Sequence, residues 1–136
     1  MTDPKPEFRI DHTMIRVRDL EQSLDFYTRI LGMEVLRKAD YPDGRFTNAF
    51  VGYRGTDAAL ELTHNWDQDA PYDRGDAWGH IALTVADVRA AGDYLKAAGV
   101  RFTKEPSPMK HGTRMIAFLL DPDGYSIELV EAPSPA

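Results

Sequence analysis

The chain repeats itself. His12 opens the strand-like run "HTMIRV", and His80 opens "HIALTV" 68 positions later in a chain of 136 residues. At that offset Ile15 falls on Leu83, Val17 on Val85, Asp19 on Asp87 and Leu20 on Val88. One position is then skipped, so that at an offset of 67 Gly32 meets Gly99, Met33 meets Val100 and Val35 meets Phe102. Further along, Phe50 meets Phe118 at 68, and Glu61 meets Glu128 at 67, inside "LELT" and "IELV". Correspondences that keep their order at half the chain length mark a duplicated supersecondary unit. The fold must therefore be assembled from one small motif used twice.

Each copy reads the same way. Leu20, Leu24, Tyr27 and Leu31 recur at helical spacing, with Asp19 as N-cap, Gln22 three residues on and Gly32 as the stop. The counterpart, from Val88 to Ala98, should bury Val88, Ala91, Leu95 and Ala98 between Asp87 as cap and Gly99 as stop. Strand candidates in the first copy are Thr13 to Arg18, Glu34 to Ala39, Thr47 to Tyr53 and Ala58 to Thr63. In the second they are Ile81 to Val85, Arg101 to Lys104, Met115 to Leu120 and Tyr125 to Val130. Pro42-Asp43-Gly44 and Pro122-Asp123-Gly124 supply turn chemistry between strands. The expectation is an α+β fold of two βαβββ modules, about 11–64 and 79–131, within a single domain, 1–136. The polar segment "NWDQDAPYDRGDAWG" forms the crossover.

Alternation along a strand sorts the side chains by face. His12, Met14, Arg16 and Arg18 share one side of the first strand, and Thr13, Ile15 and Val17 the other. The apolar side should pack on the helix, which leaves His12 and Arg16 on the open face of the sheet. The same parity groups Glu61, Thr63 and Asn65 opposite Leu60 and Leu62, and sets Glu128 opposite Ile127 and Leu129. Each copy thus offers one His and one Glu. The chain has no cysteine, so any metal must be held by nitrogen and oxygen. His12, Glu61, His80 and Glu128 form a mixed set suited to a divalent transition metal, with open positions if the ion is six-coordinate. A single His at a strand end is ordinarily structural, and a lone Glu on an antiparallel strand ordinarily faces water. Four at matched repeat positions carry a different meaning. His64 and His111 have no repeat partner and read as surface or rim residues.

Composition excludes several classes. A net charge of -6 without a Lys/Arg cluster argues against nucleic acid. No apolar run approaches the roughly 20 residues that a membrane span needs. The polar, proline-bearing start "MTDPKPEFRID" lacks a secretory signal pattern, which makes a cytoplasmic location the expectation.

The segments "HTMIRVRDLEQSLDFYTRILGM", "NAFVGY", "ELTHNW", "GHIAL" and "AFLLDPDGYSIELVE" together resemble the glyoxalase I (lactoylglutathione lyase) family of the vicinal oxygen chelate superfamily, from about Asp11 to Glu131. The resemblance implies a homodimer whose paired sheets form a metal-binding cup at the subunit interface. His12 and Glu61 then come from one chain, and His80 and Glu128 from the other. The implied reaction isomerises the methylglyoxal–glutathione hemithioacetal to lactoylglutathione through an enediolate. Glu128 is the expected base, with Glu61 as the other carboxylate in the proton transfer. Arg16 and Asn65 are implied to bind glutathione, the co-substrate. Lys110, in "SPMKHGT", is a further candidate, with Lys104 as its alternative. Longer members carry an arginine four residues before the second metal histidine; here that position is Asp76, and Arg74 lies two residues earlier. The short chain resembles the bacterial type activated by nickel or cobalt, so nickel is favoured, although this donor set also holds zinc. The alternatives are another metal-dependent enzyme of the superfamily, an epimerase or a dioxygenase, and a metal-free drug-binding module.

Overall fold

Two four-stranded sheets of the same topology make up the computed structural model, which describes residues 4–110, 112 and 114–133. His111 lies outside the described residues. The chain divides into two compact units, Met1–Asp69 and Ala70–Ala136.

The first unit runs β1 (His12–Arg16), α1 (Leu20–Asp25), a single π-turn (Phe26–Ile30), β2 (Glu34–Tyr41), β3 (Phe46–Gly52) and β4 (Ala59–Asn65). Its strand order is β1-β4-β3-β2, with β1 and β4 parallel and the other pairs antiparallel. The second unit runs β5 (Ile81–Val85), α2 (Val88–Ala97), β6 (Phe102–Pro108), β7 (Met115–Leu120) and β8 (Ser126–Glu131), in the order β5-β8-β7-β6. Here too the outer pair, β5 and β8, is parallel. Both units are therefore the expected βαβββ motif, and residues 66–80 cross over without strand or helix.

Each sheet buries one face under its own helix. In the first unit Ile15, Val17, Ala49 and Leu62 are buried on that face. In the second, Ala117, Leu119, Ile127 and Leu129 are the equivalents. Both helices are capped as the sequence predicts: Asp19 Oδ1 accepts from Gln22 N at 3.1 Å and Asp87 Oδ1 from Ala90 N at 3.0 Å.

The first helix departs from the expected twelve-residue span, Leu20 to Leu31. Its α-helical part ends at Asp25. Thr28 Oγ1 donates to the Leu24 carbonyl at 2.6 Å, where the helical amide would otherwise bond, and Leu31 N donates to Phe26 O, five residues back. The wider turn rotates the buried face, so Phe26 and Tyr27 both enter the core and Leu31 is only half-buried. In α2 the core positions are Val88, Gly92 and Leu95. Ala98 is the C-cap and exposed, because the helix ends before its periodicity returns that position to the sheet. A Cβ on Gly92 would stand 2.9 Å from Pro106 Cγ, so glycine lets the helix lie against β6. That strand runs beyond Lys104 to Pro108, with two register shifts. Its prolines are tolerated because β6 is an edge.

The turn between β7 and β8 is fastened by Asp121, which is 5% exposed. Its Oδ1 accepts from Asp123 N at 2.9 Å and from Tyr125 N at 2.8 Å. Asp121→Ala would strand the buried Tyr125 amide, and the expected cost is about 1–3 kcal/mol. Urea unfolding of the variant beside the wild type measures it.

Candidate metal centre

The parallel register of β1 on β4 sets His12 against Ala59 and Met14 against Glu61. His12 and Glu61 are therefore diagonal neighbours on the face away from α1. Their side chains meet: His12 Nε2 lies 3.1 Å from Glu61 Oε1. The second unit repeats the arrangement, with Ala82 against Glu128 and His80 Nε2 3.2 Å from Glu128 Oε1. Behind each pair stands a phenylalanine of the middle strand. Phe50 faces Glu61 in the ladder and meets the His12 ring edge-to-face at 5.1 Å; Phe118 faces Glu128 and meets His80 at 5.3 Å. The order of the sequence repeat is thus reproduced as a repeated three-residue geometry.

The pairs suit a divalent ion on chemical grounds. His12 Nδ1 donates to Asp11 Oδ2 at 2.6 Å, so in the neutral ring the nitrogen that keeps a lone pair is Nε2, which faces a carboxylate oxygen. Two acceptors 3.1 Å apart repel unless a proton or a metal ion lies between them. Two donors each about 2.1 Å from one ion, at a right angle, stand about 3.0 Å apart, so these separations fit adjacent positions around a six-coordinate ion. Asp11 is exposed, and the hydrogen bond from His12, then the imidazole charge, hold its carboxyl below the ordinary value, with Arg37 and Arg9 adding to the effect. Within either unit, among the described residues, no three His, Cys, Asp or Glu side chains cluster to hold an ion. Each unit supplies a pair.

Other expected residues fall where the alternation put them. Arg16 pairs with Thr63 and Asn65 with Phe46, so both share the His12 and Glu61 face, Arg16 four residues beyond His12 and Asn65 four beyond Glu61. That is about 13 Å along each strand. Arg16 is exposed and Asn65 half-buried. Lys110 is exposed in the turn after β6. Lys104 pairs with Phe118, which sets it on the Glu128 face. Arg74 donates to the Asp123 carbonyl at 2.5 Å and lies over Tyr125, and Asp76 is exposed. Thus Arg74 is engaged by the β7–β8 turn of its own unit. His64 belongs to the helix-side parity of β4, is half-buried, and its Nδ1 lies 3.3 Å from the Val17 carbonyl oxygen.

Four residues near the first pair were not singled out from the sequence. Asp11 orients His12. Asn48 Nδ2 and Thr63 Oγ1 both donate to Glu61 Oε2, at 3.1 and 2.9 Å. Arg37 stacks over Phe50, its guanidinium carbon 4.1 Å from the ring centre. Only Arg37 had a repeat signal, since at an offset of 67 it meets Lys104 and both pair with the repeat-matched phenylalanines of their units, Phe50 and Phe118. Asp11 and Thr63 are local neighbours of His12 and Glu61, one and two residues away, whereas the role of Asn48 depends on cross-strand register.

The sequence profile of the glyoxalase/bleomycin resistance protein/dioxygenase superfamily matches residues 9–129. The chain is 56% identical over 128 residues to the lactoylglutathione lyase of Neisseria meningitidis serogroup A, covering 93% of this chain and 92% of that one. It is 48% identical over 125 residues to the lactoylglutathione lyase of Escherichia coli O157:H7, covering 90% and 92% respectively. Among solved structures it is similar to glyoxalase I from Zea mays, with a TM-score of 0.85 and 42% identity over 93% of this chain. It spans 45% of the maize chain.

Proposed function

This chain belongs to the glyoxalase/bleomycin resistance protein/dioxygenase superfamily, and on that premise we propose that it acts as a lactoylglutathione lyase, isomerising the methylglyoxal–glutathione hemithioacetal to lactoylglutathione. The observation that carries the reading is the repeated His–Glu pair, at 3.1 and 3.2 Å, in a chain about half identical to enzymes of that name.

In this reading His12 and Glu61 of one subunit join the partner subunit's His80 and Glu128 around a divalent ion. Nickel is favoured, and cobalt and zinc are compatible with the donors. When bound, the ion supplies Lewis-acid stabilisation of the negative charge that develops on two adjacent substrate oxygens. The protein residues do the rest. Glu128 takes the proton from the carbon that bears sulfur and hydroxyl, and the electron pair left behind forms the carbon–carbon double bond of an enediolate. The same carboxylic acid returns the proton to the neighbouring carbon, while the hydroxyl proton moves to the former ketone oxygen. A ketone and a hemithioacetal become a secondary alcohol and a thioester, with no atom gained or lost. Glu61 remains as the second carboxylate beside the reacting carbons.

Arg16 and Asn65 suit the tripeptide because they lie on parallel neighbouring strands, displaced the same way from His12 and Glu61. A guanidinium fork matches a carboxylate of glutathione, and a carboxamide matches a peptide group. Lys110 is the third contact in this reading, with Lys104 as its alternative. A cytoplasmic setting, rich in reduced thiol, completes the proposal.

The test is direct. Protein stripped with a chelator should form no thioester absorbance from methylglyoxal and glutathione, and nickel should restore it. Folded protein that shows no turnover with nickel, cobalt or zinc would overturn the enzyme reading in favour of a metal-free binding module.

A further inference from the structure

The two halves of the candidate metal centre share their ligands and their phenylalanines but differ in what holds the carboxylate. Beside Glu61, the next positions of β3 and β4 on the same face are Asn48 and Thr63, paired in the ladder. Both are buried, 7% and 6% exposed, and both donate to Glu61 Oε2. The matching positions beside Glu128 are Ile116 and Val130, again paired in the ladder. Neither side chain has a donor. Among the described residues, Glu128 has only the His80 contact. The histidines differ in the same sense: Asp11 precedes His12 and holds its Nδ1, whereas Gly79 precedes His80.

We infer that Asn48 and Thr63 are positioning residues that lock Glu61 as the fixed carboxylate ligand, so that the first unit holds the metal and the second is left free to move its carboxylate. The physical reason lies in the division of the carboxylate's two oxygens. Oε2 is taken by two donors, Asn48 from the neighbouring β3 and Thr63 from β4 itself, so the plane of the group is fixed and Oε1 is held toward His12 Nε2. A glutamate with three rotatable bonds otherwise loses conformational freedom each time it binds an ion. Here that freedom is already lost on folding. Groups that orient a metal ligand in this way typically change affinity 10- to 100-fold when removed. Glu128, against Phe118, Ile116 and Val130, has no such tether and can leave and return.

The inference rests on the metal reading of the preceding section, and the experiment separates the two. Metal-free wild type, Asn48→Leu, Thr63→Val and Thr63→Ser are titrated with nickel against a chromogenic chelator, without substrate, and the thermal midpoint of each metal-free protein is recorded. The expected result is a nickel affinity about 10- to 100-fold weaker for Asn48→Leu and for Thr63→Val, with Thr63→Ser close to wild type because it keeps the hydroxyl. The loss should not follow the thermal midpoints, as it would if the residues served only packing. Equal nickel affinity in wild type, Asn48→Leu and Thr63→Val overturns the inference and leaves the metal site standing. A wild type that binds no divalent ion overturns the metal reading itself. Should Asn48→Leu fail to fold, the contrast between Thr63→Val and Thr63→Ser decides alone.

Discussion

Glu128→Gln is expected to yield a folded protein that binds nickel more weakly and turns over the hemithioacetal about 10²- to 10⁴-fold more slowly than wild type. The fold should survive because Glu128 is held in β8 by its ladder to Phe118 and Ala82, and these are backbone bonds that the substitution leaves alone. Gln has the same shape and keeps one carbonyl oxygen for an ion. It lacks the charge and basicity needed to accept a proton from carbon. Its strand neighbours Phe118, Ile116 and Val130 cannot take a proton in its place. The check is steady-state kinetics with metal content measured on the same samples. Activity close to wild type in nickel-loaded Glu128→Gln would move the base elsewhere, with Glu61→Gln as the next variant to assay.

The second large effect is on stability. Leu62→Ala is expected to cost about 2–5 kcal/mol of unfolding free energy. Leu62 is fully buried at the centre of β4, with Ile15 on one flank and Ala49 on the other. Its side chain fills the space between sheet and helix, a close-packed layer that relaxes only in part when methyl groups are removed. The loss is a large fraction of a typical native stability of about 5–15 kcal/mol. It should appear as a lower urea midpoint with little change in slope. A cost below about 0.5 kcal/mol, the size expected for an exposed position, would show that the helix does not cover this strand as described.

The repeat made most of the fold legible in advance. Because each element occurs twice, a weak strand signal in one copy was supported by its counterpart. The two helix caps were visible because a capping aspartate acts within four residues of chain. The errors lie where long-range or side-chain effects overrule local pattern. The π-turn after Asp25 depends on one hydroxyl reaching a carbonyl, and periodicity cannot register it. The extension of β6 to Pro108 depends on β7 lying beside it, against the local preference of two prolines.

What the sequence determined by itself was the inventory and its parity: a motif used twice, one His and one Glu per copy, and the face of the strand on which each must stand. Period-two alternation is a local property of extended backbone, so no fold is needed to read it. Only the tertiary structure decided who stands beside whom. Cross-strand register brought Asn48 beside Glu61 but Ile116 beside Glu128, and two halves alike in their His–Glu pairs became unlike in how the carboxylate is held. Hydrogen bonds act over about 3 Å between residues 13 apart in the chain, as Asn48 and Glu61 are, and the spacing of letters does not encode that proximity.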